Sequence, residues 1–563
     1  MRSLSWLCCC LLSMLSVLVM VGRISAQSLD HPAPVAPVEN PCPRPAAGSV
    51  VERESALYAR SGELRVRFSY QSRRDEAGRV LYCFMTPDGK QNPTLHLRPG
   101  DHLLITLTNN LPAGSGAMAI SGPICGAAIM DSSSVNIHFH GGNISPTCHQ
   151  DEVIKTMVNS GQTFRYDMKI PANEPPGLYW YHTHIHGLSE SMLQGGAAGA
   201  IVVEGIENVQ PVVAGLRQRV LVVRDQLVPG APSPGGDIPS WDVSLNYVPI
   251  TSPSAESPHF VPAVLLMQGG EKQFWRVANA SADTILDLRY LWDGKAQTMQ
   301  LVARDGVPID SQDGKRTGES IGLGHILLPP AARAEFIVEA PPQGVKLAQL
   351  VTQNIDTGPL GDNDPTRPLA TIRTGDAFAL QAEADAADRL PAFSGASTGQ
   401  QRFAGLAQAP LAKVRTVYFD EIQPTAFFMA VEGRPKHVFD PSLPPDIVAR
   451  QGTVEQWVIQ NRTMENHEFH IHQIHFLIES QDNFEINGSP QPPGIAGQYL
   501  DMVQVPYWDG NPQHPYPSVK VRMDFRGPDV GDFVFHCHIL QHEDLGMMNI
   551  IRVVPRGSPG EGR

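Results

Sequence analysis

Residues 536–547 read His536-Cys537-His538-Ile539-Leu540-Gln541-His542-Glu543-Asp544-Leu545-Gly546-Met547. One cysteine lies between two histidines, and a further histidine and a methionine follow it. Thiolate, imidazole and thioether are the ligand types of a blue-copper electron-transfer centre. Such a centre uses Cys537, His542 and Met547 and leaves His536 and His538 over. Side chains alternate along a strand, so the flanking histidines project opposite Cys537. They point to a second metal site on the other side of the same strand.

Three upstream segments can complete that second site. Ser134 to His140 is a β-branched strand carrying His138 and His140. Tyr179 to His184 reads as another, with His182 and His184 on one face. Asn466 to Ile478 supplies His470 and His472, with His467 just before them. A single His-x-His pair is weak evidence. Four pairs in a chain with only 20 His, one of them wrapped around a cysteine, form a metal constellation. Between residues 215 and 409 only His259 and His325 occur, and neither is paired, so the middle of the chain is expected to bind no metal.

The surrounding sequence reads as all-β. Gly 50 and Pro 49 are high, which suits a turn-rich β protein. Glu63 to Phe68 alternates polar and apolar, and His102 to Leu107 does so more loosely. Pro99-Gly100-Asp101 is a turn feeding that second strand. The same arrangement recurs from Gly270 to Val277 and from Gly452 to Ile459, each centred on a tryptophan, Trp275 or Trp457. This threefold echo predicts three related β-sandwich domains, and 563 residues are too many for one core. The expected divisions are 49–210, 211–375 and 412–556. Residues 376–411 connect the last two, acidic and alanine-rich at Gln381 to Asp388 and rich in Gly, Ser and Gln over 393–401.

Residues 1–26 read as a signal peptide: Arg2, an apolar run from Trp6 to Val21, and a small-residue cleavage site at Ile24-Ser25-Ala26. The mature chain is expected to be secreted or periplasmic, without a membrane span. Residues 27–48 form a proline-dense arm unlikely to pack as regular structure. Cleavage leaves Cys42, Cys83, Cys125, Cys148 and Cys537. In an oxidising compartment the first four allow two disulfides in three connectivities, with Cys537 left for the metal. A formal net charge of −14 argues against a nucleic-acid partner.

Four motifs in order carry a resemblance to the multicopper oxidases, the family of laccases, ascorbate oxidases and ferroxidases. They are His-x-His-Gly at 138–141, Trp-Tyr-His-x-His at 180–184, His-x-x-His-x-His at 467–472 and His-Cys-His-x-x-x-His-x-x-x-x-Met at 536–547. The resemblance covers essentially the whole mature chain. It implies three consecutive cupredoxin-like Greek-key domains and four copper ions. His467, Cys537 and His542 would hold type 1 copper, with Met547 as a weak axial ligand. His138 and His470 would hold type 2 copper. His140, His182, His184, His472, His536 and His538 would hold the type 3 pair. Asp151 stands at the family spacing of the acid near the type 2 water, and Glu543 resembles an acid that bacterial laccases place beside the oxygen channel. His149, His186 and His475 read as supporting or packing residues. Two positions depart from the family pattern: Glu468 stands where proline is usual, facing the type 1 site or solvent, and Gln473 stands where glycine is frequent.

The resemblance implies one-electron oxidation of a reductant coupled to four-electron reduction of O2 to water. A laccase acting on phenols and aromatic amines ranks first, since the 17 Met are scattered and none forms a Met-rich run over the type 1 site. A metal oxidase for Fe(II), Cu(I) or Mn(II) ranks second. It requires acids around His467 and His542, for which Asp482, Glu485, Asp501 and Asp544 are the candidates. A copper-binding electron carrier without turnover ranks third, because a carrier needs only the type 1 ligands.

Overall fold

The computed structural model describes residues 33–53, 55–120, 122–228, 235–253, 258–312, 319–375, 401–489 and 492–558. The expected signal peptide and residues 376–400 of the connector lie outside them. The described chain is nearly all strand, arranged as three sandwiches of paired sheets. The first pairs a five-stranded with a four-stranded sheet, the second an eight-stranded with a six-stranded one, and the third a six-stranded with a five-stranded one. No helix among the described residues is long and apolar enough to cross a membrane.

The threefold echo in sequence is an echo in topology. Strand His102–Asn109 runs parallel to Glu63–Arg74 on one side and antiparallel to Thr163–Lys169 on the other. Lys272–Asn279 sits in the same way between Arg217–Leu227 and Arg333–Glu339. Val454–Asn461 sits between Leu411–Ile422 and Ser518–Asp524. Each central strand is fed by a glycine with positive φ: Gly100, Gly270 and Gly452. A turn needs φ > 0 there, and glycine supplies it without a steric penalty. Alternating burial then sends Leu103, Ile105 and Leu107 into the first core, Trp275 and Val277 into the second, and Trp457 and Ile459 into the third.

The sandwiches are not independent. One apolar cluster joins Leu178, Trp180 and Val202 of the first to Leu221, Trp275 and Phe336 of the second, and takes in Met502 and Leu540 of the third. Burial of this kind, at about 25 cal/mol per Å² of apolar surface, makes the domain seams part of the folded core. The described part of the proline-rich arm forms no strand, yet it is pinned to the first sandwich. Val35 N–H donates to Thr108 Oγ1 at 2.8 Å. A Cys42–Cys83 disulfide ties the same segment down, and Cys125–Cys148 closes a second loop, which resolves the three connectivities. Cys537 is free and buried.

The histidine pairs sit where strands end. His138 and His140 share strand His138–His140. The other three pairs depart from the expectation that both imidazoles share a strand: Gly177–His182, His467–Ile471 and Gly531–Cys537 stop before His184, His472 and His538. The chain leaves the sheet there and turns back within its own sandwich, and the second imidazole of each pair joins the cluster between the first and third sandwiches.

Candidate metal centre

Two clusters of candidate metal ligands are distinct in the structure. The first lies inside the third sandwich. Strand Gly531–Cys537 pairs with His467–Ile471, placing Cys537 opposite Phe469, and the short helix Leu540–Asp544 returns His542 over them. His467 Nδ1 and His542 Nδ1 are 3.1 Å apart, and Cys537 Sγ lies 3.5 Å and 3.8 Å from them. Met547 is fully buried in the same core cluster as Cys537. The far nitrogens of both rings are anchored: His467 Nε2 to Thr463 Oγ1 at 2.9 Å, His542 Nε2 to Glu465 Oε1 at 3.4 Å. Phe419 and Phe427 stack on the two imidazoles and fix their planes.

The surroundings of Cys537 are apolar, and burial pushes its thiol well above the usual range. The Glu468 N–H donates to Sγ at 3.5 Å, a donor that proline in this position would lack. The Glu468 side chain faces neither solvent nor a partner. It is fully buried, and among the described residues neither carboxyl oxygen makes a hydrogen bond. Desolvation by burial raises its pKa above the usual carboxylate range, which favours the neutral acid.

The second set bridges the first and third sandwiches. His138, His140, His182, His184, His470, His472, His536 and His538 converge there, each at most 2% exposed. His138 stacks on His472 with centroids 3.8 Å apart, and His140 on His470 at 3.9 Å, so each close pair joins the two domains. Several rings are held by one nitrogen and left open at the other. His138 Nδ1 lies 3.0 Å from Asp151 Oδ1, His182 Nδ1 2.8 Å from the Thr183 carbonyl, and His470 Nδ1 2.8 Å from the Asp501 carbonyl. The Nε2 atoms of these three have no hydrogen-bond partner among the described residues. His536 Nε2 faces His184 Nε2 at 3.4 Å and His472 Nε2 at 3.2 Å.

This donor set fits copper. Burial, and then neighbouring imidazoles, hold His138, His472 and His538 well below the ordinary histidine range, and burial above all holds His182 at about 3. Neutral imidazoles present lone pairs, and lone pairs aimed at one another in a dry site are satisfied by a cation between them. The anchored nitrogen fixes the tautomer that exposes the other, as in metal sites generally.

Acids surround this cluster. Asp151 is buried, accepts the Phe139 N–H at 2.9 Å, and accepts Gln473 Nε2 at 2.8 Å. Gln473 has φ +61°, which explains why glycine suits the position, and its side chain buys the bond to Asp151. Glu543 lies 3.1 Å from His536 Nδ1 and 3.8 Å from His184 Nδ1. Burial opposes its ionisation, but these imidazoles outweigh it and hold the carboxyl at about 2. His475 donates to the Asp305 carbonyl at 2.8 Å and His149 to that of Arg165 at 2.7 Å, as supporting residues do.

Sequence reasoning missed Arg333. This middle-domain residue is fully buried and forks onto Asp501 at 2.7 and 2.6 Å, while Asp501 Oδ1 lies 3.4 Å from His140 Nε2. The middle domain thus contributes no histidine pair but steadies the cluster from outside. Nothing in the sequence links residues 333 and 501; only the fold does.

The acids expected near His467 and His542 are also corrected. Asp501 belongs to the cluster just described. Asp544 accepts the N–H groups of Gly187 and Glu190 at 2.7 and 3.0 Å, docking the third domain onto the first. Glu485 is exposed, and Asp482 is paired with Ser480 at 2.8 Å. In their place Asp283, Asp362, Asp364 and Glu465 line a cavity of about 70 Å³ into which His542 projects. Burial raises all four carboxyls, Asp364 to about 7. A second cavity, of about 150 Å³, lies beyond Asn466 and is lined by Ile355, Phe484 and Gln504 among others.

Comparison with known proteins agrees with this geometry. Multicopper oxidase domain patterns match residues 129–208 and 414–557. A laccase of Bacillus subtilis is 23% identical over 499 residues, covering 81% of this chain and 87% of that one. The McoA multicopper oxidase of Aquifex aeolicus superposes with a TM-score of 0.63 at 18% identity, covering 90% of this chain and all (100%) of that one. A Campylobacter jejuni multicopper oxidase described as a metallo-oxidase superposes with a TM-score of 0.61 at 20% identity, covering 91% and 96%. These structural likenesses establish the cupredoxin-like fold.

Proposed function

We propose that this chain, a member of the multicopper oxidase family, oxidises a cationic metal reductant, Fe(II), Cu(I) or Mn(II), and reduces O2 to water. The observation that carries the metal reading is the cavity in which Asp283, Asp362, Asp364 and Glu465 surround the edge of His542. Carboxylates are hard oxygen ligands suited to Fe(II) and Mn(II), and His542 offers an imidazole edge to the same space. We assign His467, Cys537, His542 and Met547 to type 1 copper, His138 and His470 to type 2, and His140, His182, His184, His472, His536 and His538 to the type 3 pair. We assign cupredoxin domains to 49–210, 211–375 and 412–556. Bound copper would supply one-electron acceptance from the reductant and four-electron reduction of O2.

The protein's own residues do the rest. Asp283, Asp362 and Asp364 attract and orient the cation at His542. Cys537 is covalently continuous with His536 and His538, so one strand joins the two ligand sets. Asp151, whose carboxyl burial raises, can hold a proton at the oxygens that face His138, whereas Glu543, held at about 2, stays ionised beside His536. The apolar seam keeps bulk water from the cluster.

A second reading, oxidation of phenols or aromatic amines, rests on the larger cavity beyond Asn466, whose Phe484 and Ile355 suit a ring next to the residue preceding His467. Oxygen uptake by the copper-loaded protein separates the two. Faster uptake with Fe(II) or Mn(II) than with a dimethoxyphenol, and a KM for the metal raised about tenfold by Asp364→Asn, is the expected result. Fast phenol turnover with slow metal turnover would establish the second reading, and no uptake with any donor would reduce the chain to a carrier.

A further inference from the structure

A third cavity, of about 30 Å³, opens on the seam between the first and third domains, and His184 of the histidine cluster forms part of its wall. Four of the chain's 17 Met line it: Met118, Met130, Met157 and Met548. Apart from His184 and His186 the wall is apolar. Along the sequence these methionines are far apart, and only the fold assembles them. Met118 and Met130 stand directly opposite each other on the antiparallel pair Met118–Ala119 and Ile129–Met130. Met118 is 45% exposed, whereas Met157 and Met548 are buried, so the thioethers run from the surface into the interior of the seam. Met130 packs against the small cluster that contains Met157. His186 sets its ring edge against Phe439, and its Nδ1 is buried without a hydrogen-bond partner among the described residues.

An apolar wall alone would be served equally by leucine. Methionine adds a soft, polarisable sulfur, and thioether with imidazole selects Cu(I) over hard divalent ions. The wall offers no carboxylate or other oxygen side chain for Fe(II) or Mn(II), in contrast to the acidic cavity at His542.

We propose that this cavity binds a soft monovalent cation, Cu(I), through the thioethers of Met118, Met130 and Met157 and the imidazole of His186, and hands it on to His184. The transfer is ligand exchange: sulfur–copper bonds break as an imidazole–copper bond forms, with no change of oxidation state. The site would load copper into the adjacent histidine cluster. This role rests on the copper reading above, whereas binding itself does not.

The test uses Ag(I), a redox-inert soft cation, titrated into the copper-loaded protein, whose cluster histidines are already occupied. The wild type is expected to bind one more Ag(I) than the Met118→Leu/Met130→Leu variant, or to bind it at least about tenfold more tightly. Leucine keeps the wall apolar, and retained blue absorption shows that the variant is folded. Equal Ag(I) binding by both proteins, or none by the wild type at this site, overturns the proposal. Copper-free protein supplied with Cu(I) then tests the loading role. The variant should fill the cluster more slowly but to the same final content, and equal filling rates overturn that role. Failure of both proteins to hold cluster copper under any loading condition would instead indict the copper reading; Ag(I) is then titrated into the two copper-free proteins, where equal stoichiometry and affinity overturn the binding site and one site fewer in the variant supports it.

Discussion

His467, Cys537 and His542 meet inside a single sandwich, whereas the eight-histidine cluster takes half its imidazoles from each of two. The first set is positioned by one antiparallel strand pair and a short helix, within a core whose Phe419 and Phe427 stack on the rings. All its side chains come from the third domain, and the middle domain only steadies the start of the His542 helix, through the Ala282 carbonyl and Asp283. The second exists only while the first and third domains are docked. Docking depends on contacts made by residues that are not among the eight histidines: Arg333 on Asp501, Asp544 on the turn at Gly187, and the apolar seam. One site is thus a property of a domain and the other a property of an assembly.

The sharpest break of that comparison separates the two sets chemically. Cys537→Ser is expected to abolish the intense blue absorption and all oxidase activity while leaving copper in the cluster. His138→Ala should do the converse, sparing the blue colour and stopping oxygen reduction. Visible absorption with oxygen uptake checks both; a blue Cys537→Ser protein would sink the type 1 assignment.

A smaller effect is expected from Arg333→Met, which touches neither ligand set. Removing one partner of a buried pair leaves Asp501 uncompensated and costs about 3–5 kcal/mol. The loss should fall on cluster copper, measured by metal content, with blue absorption retained. If both copper types were lost together, the two sites would not be separable as argued.

The smallest expected effect concerns pH at the acidic cavity. Burial raises the Asp364 carboxyl from its ordinary range to about 7, so it is protonated below that pH and ionised above it. Cation binding requires the ionised form. KM for Mn(II) should therefore fall by about tenfold as pH rises from 6 to 8, while KM for a neutral phenol should not. Parallel profiles for both reductants would remove the acidic cavity from the reaction.

The fold was largely legible because its signals are local. Turn glycines at Gly100, Gly270 and Gly452 and the alternation that follows them report backbone preference and sheet face directly. The histidine motifs were legible for the same reason, since spacing within a strand fixes which side chains share a face. Where the strand ends, that logic stops. It placed His184, His472 and His538 on strands that in fact terminate before them, and it could not say which acid faces which copper set. Asp501 read as a candidate for one site and belongs to the other.

The sequence by itself determined the element types, the threefold repetition, the donor types gathered at Cys537 and its neighbouring histidines, and a middle domain without histidine pairs. Only the tertiary structure decided the Cys42–Cys83 and Cys125–Cys148 pairing, the Arg333–Asp501 contact, the burial of Glu468, the acids around His542 and the methionines around His184. These are contacts between residues far apart in the chain. They depend on how three sandwiches dock, and docking follows from the shape and apolar area of whole surfaces, which no short window of sequence contains.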